Sequence, residues 1–425
     1  MIGKEIHDLA KQLWPLNRSL TGDGVRETLA IIKEQIPNLE ILEVASGTKA
    51  FDWEVPFEWR VKSAYVIDPH GKKILDFAKN NLHLVGYSIG FHGKMRLKEL
   101  QERLHSLKNQ PSAIPYITSY YEDNWGFCLS ENERRSLPEG EYEIVIDAEK
   151  FQGTLTYAEL MIKGESTDEI FLSTYICHPS MANNELSGPC VLTFLAKWLM
   201  TLSNRRFSYR LIFIPETIGS IVYLSKNLEQ MKANVFAGFN LTCIGDDRLY
   251  SILPSRDGNT ISDQIGKHVL QHTDPNYVTY DWSVRGSDER QYCAPGIDLP
   301  IASIMRTKYG EYPEYHTSLD DLVNVVTPEG LEGGYRVMRR ALEALESNCF
   351  PRVLVLGEPQ LGKRGLYPNL SSKYPNPPLR LILNLLTWSD GRHSLLEIAE
   401  KLNVPIWELY SIAQNLESHE LISLE

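Results

Sequence analysis

Four near-continuous apolar runs between residues 154 and 345 constrain the fold of this chain more than any other feature. They are "TLTYAELMIKG", "EIFLSTYIC", "SYRLIFIP" and "VFAGFNLTCIG", and helical stretches such as "SGPCVLTFLAKWLMTL" lie between them. Strands that are apolar on both faces and alternate with helices are typical of a largely parallel sheet covered on both sides. We therefore predict an α/β domain whose ligands bind beyond the carboxyl ends of the strands.

The other segments of the 425-residue chain have different patterns. Residues 1–40 are predicted to form helices that pack on the α/β domain of 151–350. Residues 41–150 contain short alternating runs such as "EYEIVID", which predict a small β-rich inserted domain. The range 351–378 includes the proline-rich "YPNLSSKYPNPP" and is predicted to be a linker. The order of helices and a final strand in 379–425 predicts a winged helix-turn-helix domain.

The charge of the chain argues against nucleic acid as a partner. The formal net charge is −12, and residues 380–425 carry seven acidic and three basic residues, whereas phosphate contacts need clustered lysine and arginine. The winged helix is therefore expected to contact a protein partner or to support a homo-oligomer. Lys4, Glu5 and Asp8 interrupt the N-terminal segment, and no run of about 18 apolar residues occurs, so we expect a cytoplasmic protein without membrane association.

Polar residues at the ends of the apolar runs are candidates for a site. His178 directly follows "EIFLSTYIC", where a histidine is either a structural hydrogen-bonding residue or a metal ligand. Glu216 follows "LIFIP", where it either compensates a helix dipole or takes part in the chemistry. His316 lies in "YHTSLDDLVNV", and no structural role is evident for it. Asp320 and Asp321 in the same segment are attributed to the dipole of a helix capped by Thr317 or Ser318.

A charged loop, "VRGSDERQYC", precedes a further strand of the same domain. It contains Arg285, Asp288, Glu289 and Arg290, which either form a solvated surface or line a cleft. Together with two histidines and the carboxylates at the strand ends, these residues offer the ligands of a hydrolytic zinc site. Such a site uses about three ligands from histidine, aspartate and glutamate, leaves a position for water, and needs a nearby carboxylate base.

The order of these motifs resembles the zinc-dependent exopeptidases of the aminopeptidase and glutaminyl-cyclase type. The matching segments are His178, "NNELSG", "PETIGS", "NLTCIG", "GSDERQ" with "GIDLP", and "YHTSLDD". The chain more narrowly resembles bacterial aminopeptidase-like proteins found with polysaccharide biosynthesis genes, in which a peptidase domain carries a β-rich insertion and a terminal winged helix. This resemblance covers nearly all of the chain and implies a three-layer, zinc-exopeptidase-like fold.

The chain departs from the exopeptidase pattern at three positions. Asn184 stands where that family has a metal-bridging aspartate, Thr217 where it has the second glutamate of a pair, and Thr242 where it has a further ligand aspartate. Because two zinc ions need negative charge to lie close together, we expect one ion.

The preferred assignment makes His178, Glu185 and His316 the zinc ligands and Glu216 the catalytic base. Asp288 is the substitute ligand if Glu185 points away from the zinc ion. In a further alternative, Glu216 and Asp288 exchange their roles. Further candidate substrate contacts follow from the same segments, namely Asn184, Arg285, Glu289, Arg290 and Tyr315.

Three hypotheses for function follow. The first is a mononuclear zinc aminopeptidase that hydrolyses an N-terminal amide bond of a peptide. The second is an amide or acyl hydrolase for sugar-linked amino acids, which the resemblance to proteins of polysaccharide loci motivates. The third is a catalytically altered protein that binds a peptide or a glycan, which the loss of carboxylates at 184, 217 and 242 motivates.

Overall fold

The computed structural model describes residues 1–366 and 377–425, which form two compact units. The larger unit consists of Met1–Asp263 with Tyr277–Arg336, and the smaller one of Gln264–Asn276 with Val337–Glu425. The α-helices of the described residues are α1 (Ile2–Leu13), α2 (Asp23–Gln35), α3 (Leu97–Leu100), α4 (Glu131–Arg135), α5 (Ser187–Thr201), α6 (Ile218–Asn234), α7 (Ile261–Gln271), α8 (Glu289–Tyr292), α9 (Pro328–Ser347), α10 (Pro377–Trp388), α11 (Leu395–Leu402) and α12 (Tyr410–Ser418).

The strands are numbered in the same way. They are β1 (Glu40–Ala45), β2 (Lys49–Ala50), β3 (Trp53–Glu54), β4 (Glu58–Ile67), β5 (Lys73–Ile74), β6 (Phe91–Arg96), β7 (Leu104–His105), β8 (Phe127–Cys128), β9 (Glu141–Phe151), β10 (Thr154–Ile162), β11 (Glu169–Tyr175), β12 (Ser208–Ile214), β13 (Val235–Leu241), β14 (Ser251–Leu253), β15 (Val278–Thr279), β16 (Ile301–Met305), β17 (Pro351–Val353) and β18 (Ile422–Leu424).

An eight-stranded sheet organises the larger unit, in the order β1-β10-β12-β11-β13-β16-β14-β15. The four strands β12, β11, β13 and β16 run parallel, which confirms the predicted parallel core. On one side β1 and β10 add antiparallel strands, and on the other side β14 is antiparallel to β16. All seven residues of β11 are buried, as expected for an apolar, β-branched run at the centre of a sheet.

Helices cover both faces of the sheet, as the resemblance implied. Phe171 on β11 packs with Val222 of α6 and Tyr292 of α8 in one apolar cluster. Thr174, three residues further along the same strand, faces α5, because its Oγ1 would lie only 2.4 Å from a Cβ on Gly188. The absence of a side chain at Gly188 thus lets the start of α5 approach the strand closely.

A β-rich insertion lies between β1 and β10 of the large sheet. Its own sheet is antiparallel, in the order β5-β4-β9-β6, and it has a separate apolar core around Trp59, Phe127 and Tyr142. Residues 40–45, whose pattern is mostly exposed, pair with β10 and therefore belong to the large sheet as an edge strand. Sequence alone grouped most of this strand with the insertion, because an exposed edge strand lacks the apolar run of a central one.

The smaller unit contains three short helices, α10 to α12, and the antiparallel pair of β17 with β18. Helix α11 begins at a capping box in which Ser394 accepts from the backbone N–H of Glu397 while the Glu397 carboxylate accepts from the N–H of Ser394. Strand β17 lies in the range predicted to be a linker, so part of that range is paired structure. Residues 367–376, which the linker prediction also includes, lie outside the described residues.

No helix in the described ranges combines the length and the apolar character that a membrane span requires. No disulfide links the cysteines of the described residues, and five of the six are buried.

Candidate functional site

A cleft of about 440 Å³ lies at the carboxyl ends of β11 and β12. Because these strands are parallel, the residues that follow them, His178 and Glu216, meet at the same edge of the sheet. His316, from the segment before α9, also lines the cleft. The structure thus brings together three of the predicted site residues, although they are up to 138 positions apart in the sequence.

His178 is buried, and its ring faces both other residues. Its Nε2 lies 3.8 Å from a carboxylate oxygen of Glu216, and its ring centroid lies 5.4 Å from that of His316. Burial, with a smaller contribution from His316 and Arg18, holds the pKa of His178 well below its usual value. The imidazole is therefore neutral at physiological pH, which is the form that binds metals.

His316 adopts a left-handed backbone conformation, with φ at +55°, which turns its ring into the cleft. Tyr315 stacks on it with a centroid distance of 3.9 Å. The Nε2 atom of His316 is buried and has no hydrogen-bond partner, and burial lowers the pKa of this histidine to about 4. A neutral imidazole with an unpartnered, buried nitrogen has the chemistry that a metal ligand needs.

The β-rich insertion supplies a side chain that packs beside both histidines. The Tyr116 ring lies 5.1 Å from the His178 ring and 5.2 Å from the His316 ring, and its hydroxyl shares a hydrogen bond of 2.9 Å with Tyr120. The Tyr116 N–H donates to the backbone oxygen of His316 at 2.9 Å, and Pro115 forms a bridge with Thr317. Tyr116 is not recognisable as a site residue from the sequence, because nothing local in "IPYITSYY" indicates which distant loop it contacts.

Glu185 lies in a π-helical turn, Ala182–Leu186, that precedes α5. It is fully buried, and the Nε of Arg18 donates to both of its carboxylate oxygens, at 3.1 and 3.0 Å. Burial raises the pKa of Glu185 to about 7, although Arg18 opposes this effect. Arg18 also donates to the backbone oxygen of His178 at 3.1 Å, so it links two of the predicted ligands. Ligation by Glu185 stays a prediction and would require the carboxylate to bind Arg18 at the same time.

Asp320 fixes this turn, which corrects the role assigned to it from the sequence. Its carboxylate accepts from the backbone N–H groups of Asn183 and Asn184, at 2.7 and 3.0 Å, and from the Tyr312 hydroxyl at 2.8 Å. The predicted helix around Asp320 is absent, since residues 317–324 form turns and α9 begins at Pro328. Asp320 does not compensate a helix dipole, because it is fully buried and makes long-range hydrogen bonds.

Glu216 is followed by a strained turn. Thr217 has φ +63° and ψ −79°, and the N–H of Ile218 donates to the oxygen of Glu216 at 2.8 Å, which is a γ-turn of the rare, positive-φ kind. Strained backbone of this kind is concentrated at functional sites. Burial and the neighbouring Asp288 raise the pKa of Glu216, and its side chain remains 20% exposed to the cleft.

The charged loop places its residues in three different environments. Asp288 is buried and accepts through Oδ1 from the Thr217 N–H and the Ser220 hydroxyl, both at 2.8 Å, whereas its Oδ2 has no partner. Glu289 is buried and hydrogen-bonded, Arg290 lines the cleft, and Arg285 is exposed above the Trp282 ring. Asn184 is buried, and its backbone oxygen accepts from Tyr175.

The histidines and carboxylates of the described residues do not form a preorganised group of three or more around one point that could hold a metal ion. Two of the residues that depart from the exopeptidase pattern, Thr217 and Thr242, make hydrogen bonds through their side-chain hydroxyls. Thr242 shares a hydrogen bond of 2.6 Å with Tyr175, and the Oγ1 of Thr217 accepts from Arg290 at 2.5 Å.

Comparison with known proteins identifies relatives over the whole chain. Residues 7–348 match the family described as "Domain of unknown function (DUF4910)", and residues 349–424 match a winged helix-turn-helix family. A Clostridium acetobutylicum protein described as a candidate polysaccharide biosynthesis protein with an aminopeptidase-like domain is 44% identical over 99% of this chain and 96% of its own length.

Solved structures give the same result for the fold. A crystal structure of a candidate peptidase from Clostridium acetobutylicum has a TM-score of 0.94 at 43% identity and covers all of this chain and 96% of its own. A zinc aminopeptidase from Bacillus subtilis has a TM-score of 0.59 at 13% identity, over 81% of this chain and 94% of its own. The fold is therefore aminopeptidase-like, and a winged helix follows it.

Proposed function

Because the chain belongs to the DUF4910 family and has an aminopeptidase-like fold, we propose that it hydrolyses an amide bond with one zinc ion in the cleft of His178, Glu216 and His316. The observation that carries the proposal is the convergence of two neutral imidazoles and a carboxyl group with a raised pKa at the end of a parallel sheet. Groups with shifted pKa values that meet in a cleft are candidates for catalysis.

The donor chemistry of these residues fits zinc. His178 and His316 offer neutral imidazole nitrogens, and the buried Nε2 of His316 lacks any other partner. Glu185 offers the carboxylate, and Arg18 donates a hydrogen bond to it. In metal sites, ligating carboxylates are commonly oriented by hydrogen-bond partners of this kind. Since Asn184, Thr217 and Thr242 are uncharged and Arg18 compensates Glu185, the remaining negative charge supports one ion rather than two.

Individual residues of the cleft have separate roles in the proposed hydrolysis. A zinc ion supplies Lewis acidity, which polarises an amide carbonyl and makes a nearby water more acidic. Glu216 accepts the proton of the attacking water and returns it to the leaving amine, and its raised pKa brings proton transfer close to neutral pH. Burial keeps the pKa of Tyr116 well above its usual value, so its hydroxyl stays protonated as a hydrogen-bond donor beside the histidines.

The cysteine in the cleft is excluded as the nucleophile on physical grounds. Burial and the neighbouring Glu216 raise the pKa of Cys177 well above its usual value, so it remains a thiol. Its sulfur also accepts a hydrogen bond of 3.2 Å from the N–H of Glu216. Because the thiolate is the reactive form, Cys177 supports the position of Glu216 and does not attack the substrate.

A peptide panel assayed with the zinc-loaded full chain and its Glu216→Gln variant tests the proposal. We expect the variant to retain zinc and to lose hydrolysis by about 10²- to 10⁴-fold, because removal of a general base has this effect. A chelator should abolish the activity of the parent, and added zinc should restore it. Absence of hydrolysis in the zinc-loaded parent, over peptides and N-acyl amino acids alike, would favour a binding protein instead.

A second candidate function, hydrolysis of amides on sugar-linked amino acids, is supported by one feature of the cleft. Its wall contains Trp53, Tyr120 and Tyr121, and aromatic rings of this kind pack against the apolar faces of sugars as well as against apolar side chains. The name of the Clostridium acetobutylicum relative points in the same direction. Activity on amino-acid amides of amino sugars that exceeds activity on peptides would select this candidate.

A further inference from the structure

The cleft contains a guanidinium group that makes no direct ion pair within the described residues, although the carboxyl groups of Glu216 and Asp288 are near enough to feel its charge. Arg290 donates from Nη2 to the Thr217 hydroxyl at 2.5 Å, and its Nε is buried without a hydrogen-bond partner. It lines the cleft beside Glu216 and Thr217, and within the described residues it forms no ion pair. A cation that is partly removed from water usually has an acidic partner, so this one is available to a ligand.

The strained turn at Thr217 fixes the direction of this guanidinium. The Thr217 N–H is bound by Asp288 at 2.8 Å, and the γ-turn determines where its side chain points. Its Oγ1 then accepts from Arg290 and orients the guanidinium plane without neutralising it, because a hydroxyl carries no charge. A planar guanidinium held in one orientation is well suited to bind a carboxylate through two parallel hydrogen bonds.

The carboxylates around the cleft already have partners or a proposed role, and only the exposed pair of Glu54 is a weak one. Glu289 accepts from two backbone N–H groups, a tyrosine hydroxyl and an asparagine amide. Asp288 is buried and does not line the cleft, and Glu54 is exposed and paired with Lys49. Glu216 is committed to proton transfer by the function proposed above. Among the described residues that line the cleft, Arg290 is the one arginine, and its charge is open to the carboxylate of a ligand.

Resting on the proposed function, we propose that the substrate carries a free carboxylate, which Arg290 binds, and that its amine is blocked. The scissile amide then belongs to an N-acylated amino acid or to the last residue of a chain, and a substrate with a free α-ammonium group is disfavoured. The aromatic wall of Trp53, Tyr120 and Tyr121 receives the apolar remainder of the substrate. This class of substrate differs from that of an aminopeptidase, which recognises a free amine.

Calorimetric titration of the full chain with three tyrosine derivatives tests the inference. N-acetyl-L-tyrosine has a carboxylate and a blocked amine, N-acetyl-L-tyrosinamide is neutral, and L-tyrosinamide has a free ammonium group. We expect the first to bind about 10-fold or more tightly than the other two, because hydrogen bonds between charged groups are stronger than those between neutral groups. The metal-free and zinc-loaded forms should both show the preference.

Variants at Arg290 separate recognition of the carboxylate from other effects. Arg290→Met should remove the preference for N-acetyl-L-tyrosine, and Arg290→Lys should retain part of it, because lysine keeps the charge and loses the bidentate geometry. Arg392→Met removes an exposed arginine from the winged-helix part and is the matched control, with an unchanged preference. Tightest binding of L-tyrosinamide, or an unaltered preference in Arg290→Met, would overturn the inference.

The same titrations distinguish this inference from the proposed function. Binding is measured without turnover, so the preference for the carboxylate does not depend on hydrolysis. A parent protein that shows the preference and yet hydrolyses nothing would refute the proposed function and leave the inference standing. Hydrolysis of peptides with a free N-terminus and an amidated C-terminus, with no preference in binding, would support the proposed function and refute the inference.

Discussion

Arg18 and Glu185 form a fully buried ion pair in which the arginine Nε donates to both carboxylate oxygens. Arg18 lies in the turn between α1 and α2, whereas Glu185 lies in the π-helical turn before α5. The arginine also donates to the backbone oxygens of Leu13, at 2.5 Å, and of His178. One side chain thus ties the N-terminal helices to the loop that carries two of the proposed ligands.

Removal of one partner of this pair should destabilise the protein strongly. Arg18→Met leaves the Glu185 carboxylate buried without compensation, which costs about 3–5 kcal/mol in the free energy of unfolding. The double variant Arg18→Met/Glu185→Met removes both charges and should recover a substantial part of that loss. Denaturation in guanidinium chloride measures both effects, and a double variant no more stable than Arg18→Met would contradict this account.

Asp320 and its neighbour Asp321 should respond differently to the same substitution. Asp320→Asn turns an amide NH₂ toward the N–H groups of Asn183 and Asn184, and an unsatisfied buried donor costs about 1–3 kcal/mol. Asp321→Asn is the matched control, because its partners, such as the N–H of Val323, are exposed and can bind water instead. Equal losses of unfolding free energy in the two variants would show that the buried hydrogen bonds are unimportant.

The stability of the metal-free protein should fall in mild acid because of His316. An unfolded histidine takes up a proton near pH 6.5, whereas burial lowers the pKa of the folded His316 to about 4. Its contribution is therefore complete above pH 6.5 and is lost as the pH falls toward 4, with a slope of up to about 1.4 kcal/mol per pH unit. His316→Asn, which tolerates the positive φ, should reduce this slope. A pH profile identical to that of the parent would rule out the assignment.

Zinc content should separate the proposed ligands from the proposed base. The parent is expected to bind one ion per chain, as measured by metal analysis after dialysis, and Glu216→Gln should bind the same amount. Glu185→Gln and His316→Asn should each weaken zinc binding by at least about 10-fold in a chelator competition, since each removes a ligand. Two ions per chain would be incompatible with the charge argument, and loss of zinc in Glu216→Gln would make that residue a ligand.

The sequence predicted those parts of the fold and site that local patterns encode. The parallel core follows from apolar, β-branched runs such as that of β11, and His178 and Glu216 are recognisable because polar residues directly follow two of these runs. The partners of the site residues are not encoded in this way. Arg18 in "PLNRSL", Tyr116 in the insertion and Asp320 after His316 act on residues far away in the sequence, and only tertiary packing determines such pairs.

The bond between the Tyr116 N–H and the His316 oxygen joins the β-rich insertion to the wall of the cleft. Removal of the insertion would break this bond and take the Tyr116 ring away from both histidines, so we expect the core to need the insertion to keep His316 in its position. Exchange of side chains in segment 110–121, four of which line the cleft, should therefore change what the cleft binds while the insertion as a whole is retained.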